Sequence, residues 1–226
     1  MKRLVKHILE EKNPLVLARR NSMRKRLTNK APSLLCPNCL GGILFHDLGL
    51  QFRSPTVNLM MTQRDFVKFL LHMEEYLAGE FVFFRHPEYT CPCAYLSGER
   101  LEQIAVHFTH YATAEEAERK WRERAKRIDR DNLFVCLQER DGLTKDEILS
   151  LSGLRCRGLV VFTANRYDDI PYTVQIPEYE ADGEVGNILK KSLLNGERDY
   201  EKHFDFVKWF NEADGKSHQA KKYQKD

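Results

Sequence analysis

Short apolar runs alternate with longer amphipathic segments along most of this chain. The alternation is typical of strand, crossover helix, strand units, because parallel strands need a long connection between them. It therefore predicts an α/β fold, a three-layer α/β/α arrangement with a mostly parallel central sheet. The predicted strands cover residues 33–36, 57–61, 81–84, 104–108, 133–137, 159–162 and 172–176. The predicted helices cover residues 14–27, 42–48, 62–77, 113–127, 145–151, 188–193 and 204–211.

The chain is expected to form one main domain. Its 226 residues are 42% hydrophobic and 31% charged, which is enough for a sizeable core and too polar for a membrane protein. No apolar run reaches the roughly 18 residues of a membrane span, and the first residues lack the features of a secretory signal. We therefore expect a cytoplasmic protein with a single α/β domain at 31–213, a basic amphipathic segment at 1–30 and a polar, frayed tail at 214–226.

Positive charge is concentrated at the N-terminus. Residues 1–30 contain ten Lys or Arg against Glu10 and Glu11, a net charge of +8, which leaves −5 for the rest because the whole chain carries +3. Apolar residues at 4, 5, 8, 9 and 15–17 lie among these cations, a pattern that suits peripheral contact with the inner membrane face or an acidic partner. The alternative is an ordinary helix packed on the core with a solvated basic face. Nucleic-acid binding has little support, because the remaining chain is acidic and carries no recognised reading motif.

Polar residues follow four of the predicted strands. In an open parallel sheet the carboxyl ends of the strands share one edge, where ligands bind. The sequence therefore predicts that these residues surround one site at that edge. They are Cys36, Asn38, Cys39 and Gly41 after the first strand, Thr109, His110 and Tyr111 after the fourth, Gln138, Glu139, Arg140 and Asp141 after the fifth, and Thr163, Asn165 and Arg166 after the sixth.

Histidines and glycines at this edge suggest group-transfer chemistry. His110 and His46 are candidates for proton transfer, because only histidine has an unperturbed pKa near neutrality. Asp47 is adjacent to His46, but neighbouring residues on a helix do not face each other, so no relay follows from adjacency. Gly41 and Gly42 before a helix would offer backbone N–H groups to a phosphate or carboxylate, although two glycines taken in isolation favour a structural turn.

Six cysteines allow several interpretations. Cys36 and Cys39 have zinc-knuckle spacing, and Cys91 with Cys93 could complete four thiolates, but the one-residue gap of the second pair is unusual. Alternatively, Cys39 near a helix start is a binding or nucleophilic thiol whose pKa the helix dipole lowers, or both are unreactive loop thiols. No other metal or cofactor is predicted. Cys136 and Cys156 lie in apolar runs and are expected in the core.

Two charged groups are interpreted as structural. Asp129 and Asp131 resemble an acidic metal-binding pair, but they precede a strand and should lie at the opposite edge, where a cap and turn role is expected. Trp121, Arg124 and Arg127 share a helix face, which we expect to be solvated.

With these residues in view, the chain resembles a bacterial domain-of-unknown-function family labelled exopolysaccharide or capsular polysaccharide biosynthesis protein. The resemblance spans residues 14–210. Its central motif is unbroken in order and is carried by Asn38, Cys39, Leu40, Gly41, Gly42, His46, Asp47, Leu48, Gly49, Leu50, Phe52, Ser54, Pro55, Thr56, Asn58 and Leu59. It continues through Asp65, Phe66, Phe69, His107, Phe108, His110, Tyr111, Trp121, Arg124, Arg127, Ile128, Asn132, Asp141, Gly142, Val161, Phe162 and Thr163.

The resemblance implies an α/β/α domain with a role in making cell-surface polysaccharide, beside glycosyl- or acyltransferases. We therefore expect a transferase-like protein that acts on an activated sugar or another phosphate-bearing substrate. The expected catalytic residues are His110, His46 and Asp47. The expected substrate-binding residues are Asn38, Cys39, Gly41, Gly42, Ser54, Thr56, Tyr111, Asp141 and Thr163. The rival is a non-catalytic glycan-binding or assembly protein of a synthesis complex.

Overall fold

The computed structural model describes residues 13–215 and 218–225. Its α-helices are Pro14–Arg26 (α1), Leu40–Leu48 (α2), Gln63–Leu71 (α3), Met73–Ala78 (α4), Ala114–Ala125 (α5), Lys145–Ser150 (α6), Asp199–His203 (α7) and Phe206–Glu212 (α8). Its strands are Ser33–Leu35 (β1), Glu80–Phe84 (β2), Cys93–Ser97 (β3), Ile104–His107 (β4), Leu133–Gln138 (β5), Gly158–Thr163 (β6) and Thr173–Gln175 (β7). Within the described residues, no helix is long and apolar enough to cross a membrane.

Four strands form a parallel sheet in the order β1-β5-β6-β7. The sequence prediction of an α/β fold with a parallel sheet is therefore confirmed. Every residue of β5 and β6 is buried, which explains why both strands read as continuous apolar runs rather than alternating ones. Two aromatic side chains of α8 pack against this sheet. The rings of Trp209 and Phe210 contact the ring of Phe134 edge-on, with centroid distances of 4.8 and 4.9 Å.

The other three strands form a separate antiparallel sheet, in the order β2-β3-β4. This corrects the prediction that residues 81–84 and 104–108 belong to the parallel sheet, and β3 was not predicted at all. Residues 57–61 form no strand, although Met60 exchanges two backbone hydrogen bonds with His107 of β4. The predicted helix at 188–193 is also wrong, because Lys191 pairs there with Arg198 in an isolated bridge.

Capping residues begin the longer helices where the sequence indicates. Thr113 accepts a hydrogen bond from the backbone N–H of Glu116 at the start of α5, and Thr62 accepts one from Asp65 at the start of α3. Asp129 likewise accepts from the N–H of Asp131, which confirms the cap and turn interpretation of that pair. These capping hydrogen bonds set the residues at which the helices begin, independently of packing in the core.

One hydrophobic core serves both sheets. Buried residues of β3 and β4 belong to the same cluster as those of β5 and β6. Cys136 and Cys156 are buried in it, as predicted. Trp121 and Arg124 are buried as well, so the prediction of a solvated face on α5 is wrong: Trp121 packs edge-on against Phe81, 5.3 Å between ring centroids.

The two ends of the chain pack on this core. Val16 and Arg20 of α1 are buried, which supports a helix docked on the domain; the prediction for residues 1–12 lies outside the described residues. The C-terminal segment was predicted to fray, but Tyr223 is buried and the N–H of Lys225 donates to the carbonyl of His203. The predicted tail is therefore wrong for residues 218–225.

Candidate functional site

A thiol and an imidazole meet at the carboxyl edge of the parallel sheet. Cys39 lies between β1 and α2, and His110 lies three residues beyond β4 of the other sheet. The Cys39 Sγ is 3.4 Å from His110 Nε2 and 4.0 Å from Thr109 Oγ1. His110 is exposed, and Cys39 is half-buried. A reactive group with its proton acceptor is thus open to solvent on one side.

The segment 57–61 holds these two ends together. The N–H of Met61 donates to the carbonyl of Pro37 at 2.8 Å, and Met60 pairs with His107 through bonds of 2.7 and 2.9 Å. One short stretch therefore ties the loop after β1 to the end of β4. This is why strand ends from two different sheets share a single rim.

Burial and hydrogen bonding act in opposite directions on the Cys39 thiol. Desolvation raises the pKa of Cys39, and the Thr109 hydroxyl lowers it by hydrogen bonding, with burial the larger effect. The thiol therefore keeps its proton near neutral pH. The Nε2 of His110, 3.4 Å from the sulfur, is within reach of that proton.

Asn38 and the glycine pair shape the start of α2. Asn38 Oδ1 accepts a hydrogen bond from the N–H of Leu40 at 2.9 Å, and the backbone of Gly41 hydrogen-bonds the buried Cys36 thiol. A Cβ on Gly42 would lie 2.6 Å from Asn58 Oδ1, closer than real contacts allow. A side chain at position 42 would therefore displace the side chain of Asn58.

Asn58 was not among the predicted site residues, and Thr109 was predicted to lie at the edge of the site without an assigned role. Asn58 has a positive φ of 65°, a conformation that asparagine tolerates better than most residues. Its carbonyl accepts a hydrogen bond from Thr109 Oγ1 at 3.3 Å. The sequence signal for Thr109 was its place beside His110, whereas the position of Asn58 depends on a long-range contact that no local pattern reveals.

Three predicted substrate-binding residues are turned into the protein instead. Ser54 and Thr56 are buried and bond each other at 2.9 Å, and Thr56 Oγ1 also accepts from the N–H of Cys36. Tyr111 is buried and donates from its hydroxyl to the carbonyl of Val57 at 2.8 Å. These side chains stabilise the loop next to Cys39, and they do not face the solvent.

His46 and Asp47 lie at the far end of α2 from Cys39. Seven or eight helical residues separate them from it, a rise of roughly 12 Å. Asp47 is buried, and its Oδ1 is 2.7 Å from Arg20 Nε of α1, whereas the His46 side chain is 62% exposed. The structure therefore brings neither residue to His110, and Asp47 serves the contact between α1 and α2.

Asp141 follows β5, at the carboxyl edge of the parallel sheet, and its side chain contacts the start of α3. Its Oδ2 accepts from the N–H of Gln63 at 3.4 Å, and Gln63 Oε1 accepts from the N–H of Gln138 at 3.0 Å. Thr163 is fully buried at the end of β6. Glu139 is also buried, and its carboxylate accepts from the backbone of Asn165, which closes the turn after β6.

The four cysteines considered for zinc do not form a metal-binding group. Cys36 is buried against Cys136, and burial raises its pKa well above the ordinary value. Cys39 contacts His110, and Cys93 Sγ lies 3.5 Å from His107 Nδ1. In residues 13–215 and 218–225, no three His, Cys, Asp or Glu side chains are arranged to hold a metal ion.

These features define the class: an α/β protein with a parallel four-stranded sheet, an antiparallel subsheet and a thiol–imidazole pair where the two meet. The chain belongs to the family described as domain of unknown function DUF1919, whose model matches residues 12–211. It is also similar to an uncharacterized protein of Haemophilus influenzae. The two are 34% identical over 192 residues, which cover 85% of this chain and 90% of that protein.

Proposed function

We propose that this protein is a transferase that uses Cys39 as its nucleophile and His110 as the proton acceptor. The observation that supports it is the 3.4 Å contact between Cys39 Sγ and His110 Nε2 at an exposed rim. Sulfur nucleophiles suit acyl transfer, and proximity to a general base offsets the raised pKa of the thiol.

The proposed donor is an activated acyl compound that bears phosphate, such as an acyl thioester of a phosphorylated carrier. His110 takes the Cys39 proton while sulfur attacks the acyl carbon, and the donor's carbon–sulfur bond breaks as its leaving thiolate receives that proton. An acceptor hydroxyl then gives its proton to His110 and attacks the new thioester. The ester forms, and Cys39 leaves as a thiolate that is reprotonated.

The proposed acceptor is a sugar hydroxyl of a cell-surface polysaccharide. This part rests on the family resemblance set out above rather than on a contact in the structure. The first turn of α2 is not assigned to the phosphate, because Leu40, Gly41 and Gly42 are buried and the backbone of Leu40 and Gly41 already bonds Asn38 and Cys36. Asn38 and Asp141 are the rim residues proposed to orient donor and acceptor.

Intact-mass measurement with a short-chain acyl thioester tests the proposal. We expect one acyl adduct on the wild-type chain, none on Cys39→Ser, and formation slowed about 10²- to 10⁴-fold in His110→Ala. Cys91→Ser is the matched control, because Cys91 is also a half-buried free cysteine. An adduct that persists on Cys39→Ser, or that His110→Ala leaves unchanged in rate, contradicts the proposal.

A glycan-binding protein without catalysis is the second candidate. Its support is an exposed aromatic surface on the antiparallel sheet, where Tyr95 is 41% exposed and stacks on Phe84 at 4.5 Å between ring centroids. Nearby Tyr89 is 39% exposed. A thermal-shift panel of nucleotide sugars and glycans, repeated with Tyr95→Ala, separates the candidates. Stabilisation by a glycan that needs Tyr95, with no acyl adduct on Cys39, favours the binding protein.

A further inference from the structure

Two adjacent leucines project from a turn on the surface. Leu193 and Leu194 are 71% and 69% exposed, the highest values among the large apolar side chains of the described residues. Two features stabilise this turn. The N–H of Ser192 donates to the carbonyl of Glu197 at 2.7 Å, and Gly196 adopts a φ of 73°. Such exposure of neighbouring leucines is unfavourable in water, which points to a partner surface.

The start of α1 lies beside this turn. Asn13 Nδ2 donates to the carbonyl of Leu194 at 3.0 Å. In the first turn of α1, Leu15 is 51% exposed and Leu17 is 45% exposed, while Val16 between them is buried. Leu15, Leu17, Leu193 and Leu194 are called the leucine patch below.

Positive charge accompanies the leucine patch. Lys190 and Lys191 precede Leu193 and Leu194 in the chain, with Ser192 between them, and Lys190 is exposed. The sequence that leads into Asn13 adds four more cations against two glutamates, together with apolar residues at 4, 5, 8 and 9. Because Asn13 is bonded at Leu194, this basic and apolar stretch joins the fold next to the patch.

We propose that the leucine patch docks on an anionic lipid bilayer. Exposed leucines bury their side chains at the boundary between headgroups and acyl chains, and the neighbouring lysines attract anionic headgroups. A neutral surface would use the leucines but not the cations, whereas an anionic bilayer is complementary to both. This inference does not depend on the proposed transferase activity.

Sedimentation with vesicles tests the docking surface. The full chain should bind vesicles of phosphatidylglycerol mixed with phosphatidylcholine, and bind phosphatidylcholine alone at least about tenfold more weakly. Leu193→Glu with Leu194→Glu should lower binding to the anionic vesicles at least about tenfold. Leu149→Glu is the matched control, because Leu149 is 38% exposed on α6 and should leave binding unchanged.

A second measurement keeps the test independent of sedimentation. Trp121 and Trp209 are both about 1% exposed, so Leu194→Trp adds a solvent-facing fluorophore to a constant background. Its emission should shift to the blue on adding anionic vesicles. Equal binding by the double glutamate variant, equal binding to neutral vesicles, or no blue shift would overturn the proposal. So would a wild-type dimer in solution that the glutamate variant dissociates, because the patch would then join two copies.

Discussion

At the scale of single residues, the protonation of Cys39 controls what the candidate site can do. Burial raises the pKa of the Cys39 thiol above its ordinary value, and the hydrogen bond to Thr109 lowers that pKa by a smaller amount. The exposed side chain of His110 is therefore needed for the proposed reaction, because a protonated thiol needs a base within reach before it can attack. Reactivity at this position is therefore conditional on the imidazole.

The alkylation rate of Cys39 should depend on pH accordingly. Only the thiolate reacts with iodoacetamide, so a pKa above the ordinary value means a rate that still rises as the pH passes 9.0. Thr109→Val removes the hydrogen bond that lowers the pKa and should move the profile to higher pH. Peptide mass spectrometry measures both profiles.

Cys36 is the internal control for this experiment, because it is 2% exposed and should remain unlabelled in the folded protein. A Cys39 profile that levels off below pH 8 would contradict the expectation. It would show that the helix dipole and the imidazole outweigh burial.

For single residues, some predictions from the sequence agree with the structure and others do not. It placed Cys39 and His110 at strand ends, and the structure brings these two into contact. It could not place His46 or Asp47, because their distance from His110 depends on which way α2 leaves the sheet. The burial of Ser54, Thr56 and Tyr111 was equally unreadable, since hydroxyl groups serve loops and ligands with the same chemistry.

At the scale of elements, the contact between α1 and α2 is the best defined polar joint. Arg20 pairs with Asp47 inside the protein, and Arg24 Nε of α1 donates to the carbonyl of Asp47 at 2.9 Å. Arg19 adds a bond to Glu201 of α7. Three helices thus meet at charges that are largely removed from water.

Asp47→Ala should destabilise the protein by about 3–5 kcal/mol, because it removes one member of the buried ion pair between Asp47 and Arg20. Urea unfolding measures the change. Asp182→Ala is the matched control, because Asp182 is exposed and should change the unfolding free energy by less than about 0.5 kcal/mol. Normal stability of Asp47→Ala with lost activity would instead give Asp47 the catalytic role that the sequence suggested.

Helices were the most predictable elements. Capping residues are local signals, with Asn13 at the start of α1 and threonines at the starts of α5 and α6, and α1, α2, α5 and α6 begin and end close to the predicted positions. Strand β3 was missed because it has only five residues and Pro92, a typical turn residue, directly precedes it. The segment 57–61 was misassigned because its burial comes from bridging two strand ends, and not from a place in a sheet.

At the scale of the whole molecule, the two sheets share one core. Trp121 of α5 packs against the antiparallel sheet, and Trp209 of α8 packs against Phe134 of the parallel sheet. The buried cluster is continuous between them. We therefore expect a single cooperative unit.

Trp121→Phe and Trp209→Phe each leave one tryptophan as a reporter for one sheet. The urea unfolding curve of each variant, followed by fluorescence, should coincide with its own curve followed by far-ultraviolet circular dichroism. Circular dichroism reports on all elements together and serves as the reference. Fluorescence midpoints that separate from this reference, in opposite directions for the two variants, would mean that the sheets unfold as two domains.

The parallel sheet was predictable because its strands are buried on both faces and read as apolar runs. The second sheet was not, because an apolar run carries no record of which partner strand it joins. Strand β4 was assigned to the wrong sheet for this reason, and yet His110 still reached the predicted rim. The bridge from Met60 to His107 accounts for that outcome.

Helix α2 has only nine residues, with the thiol at one end and the guanidinium of Arg24 fastened to the carbonyls of the other. Arg24 of α1 is therefore connected to the residue that carries the thiol through one short helix, over a rise of about 12 Å.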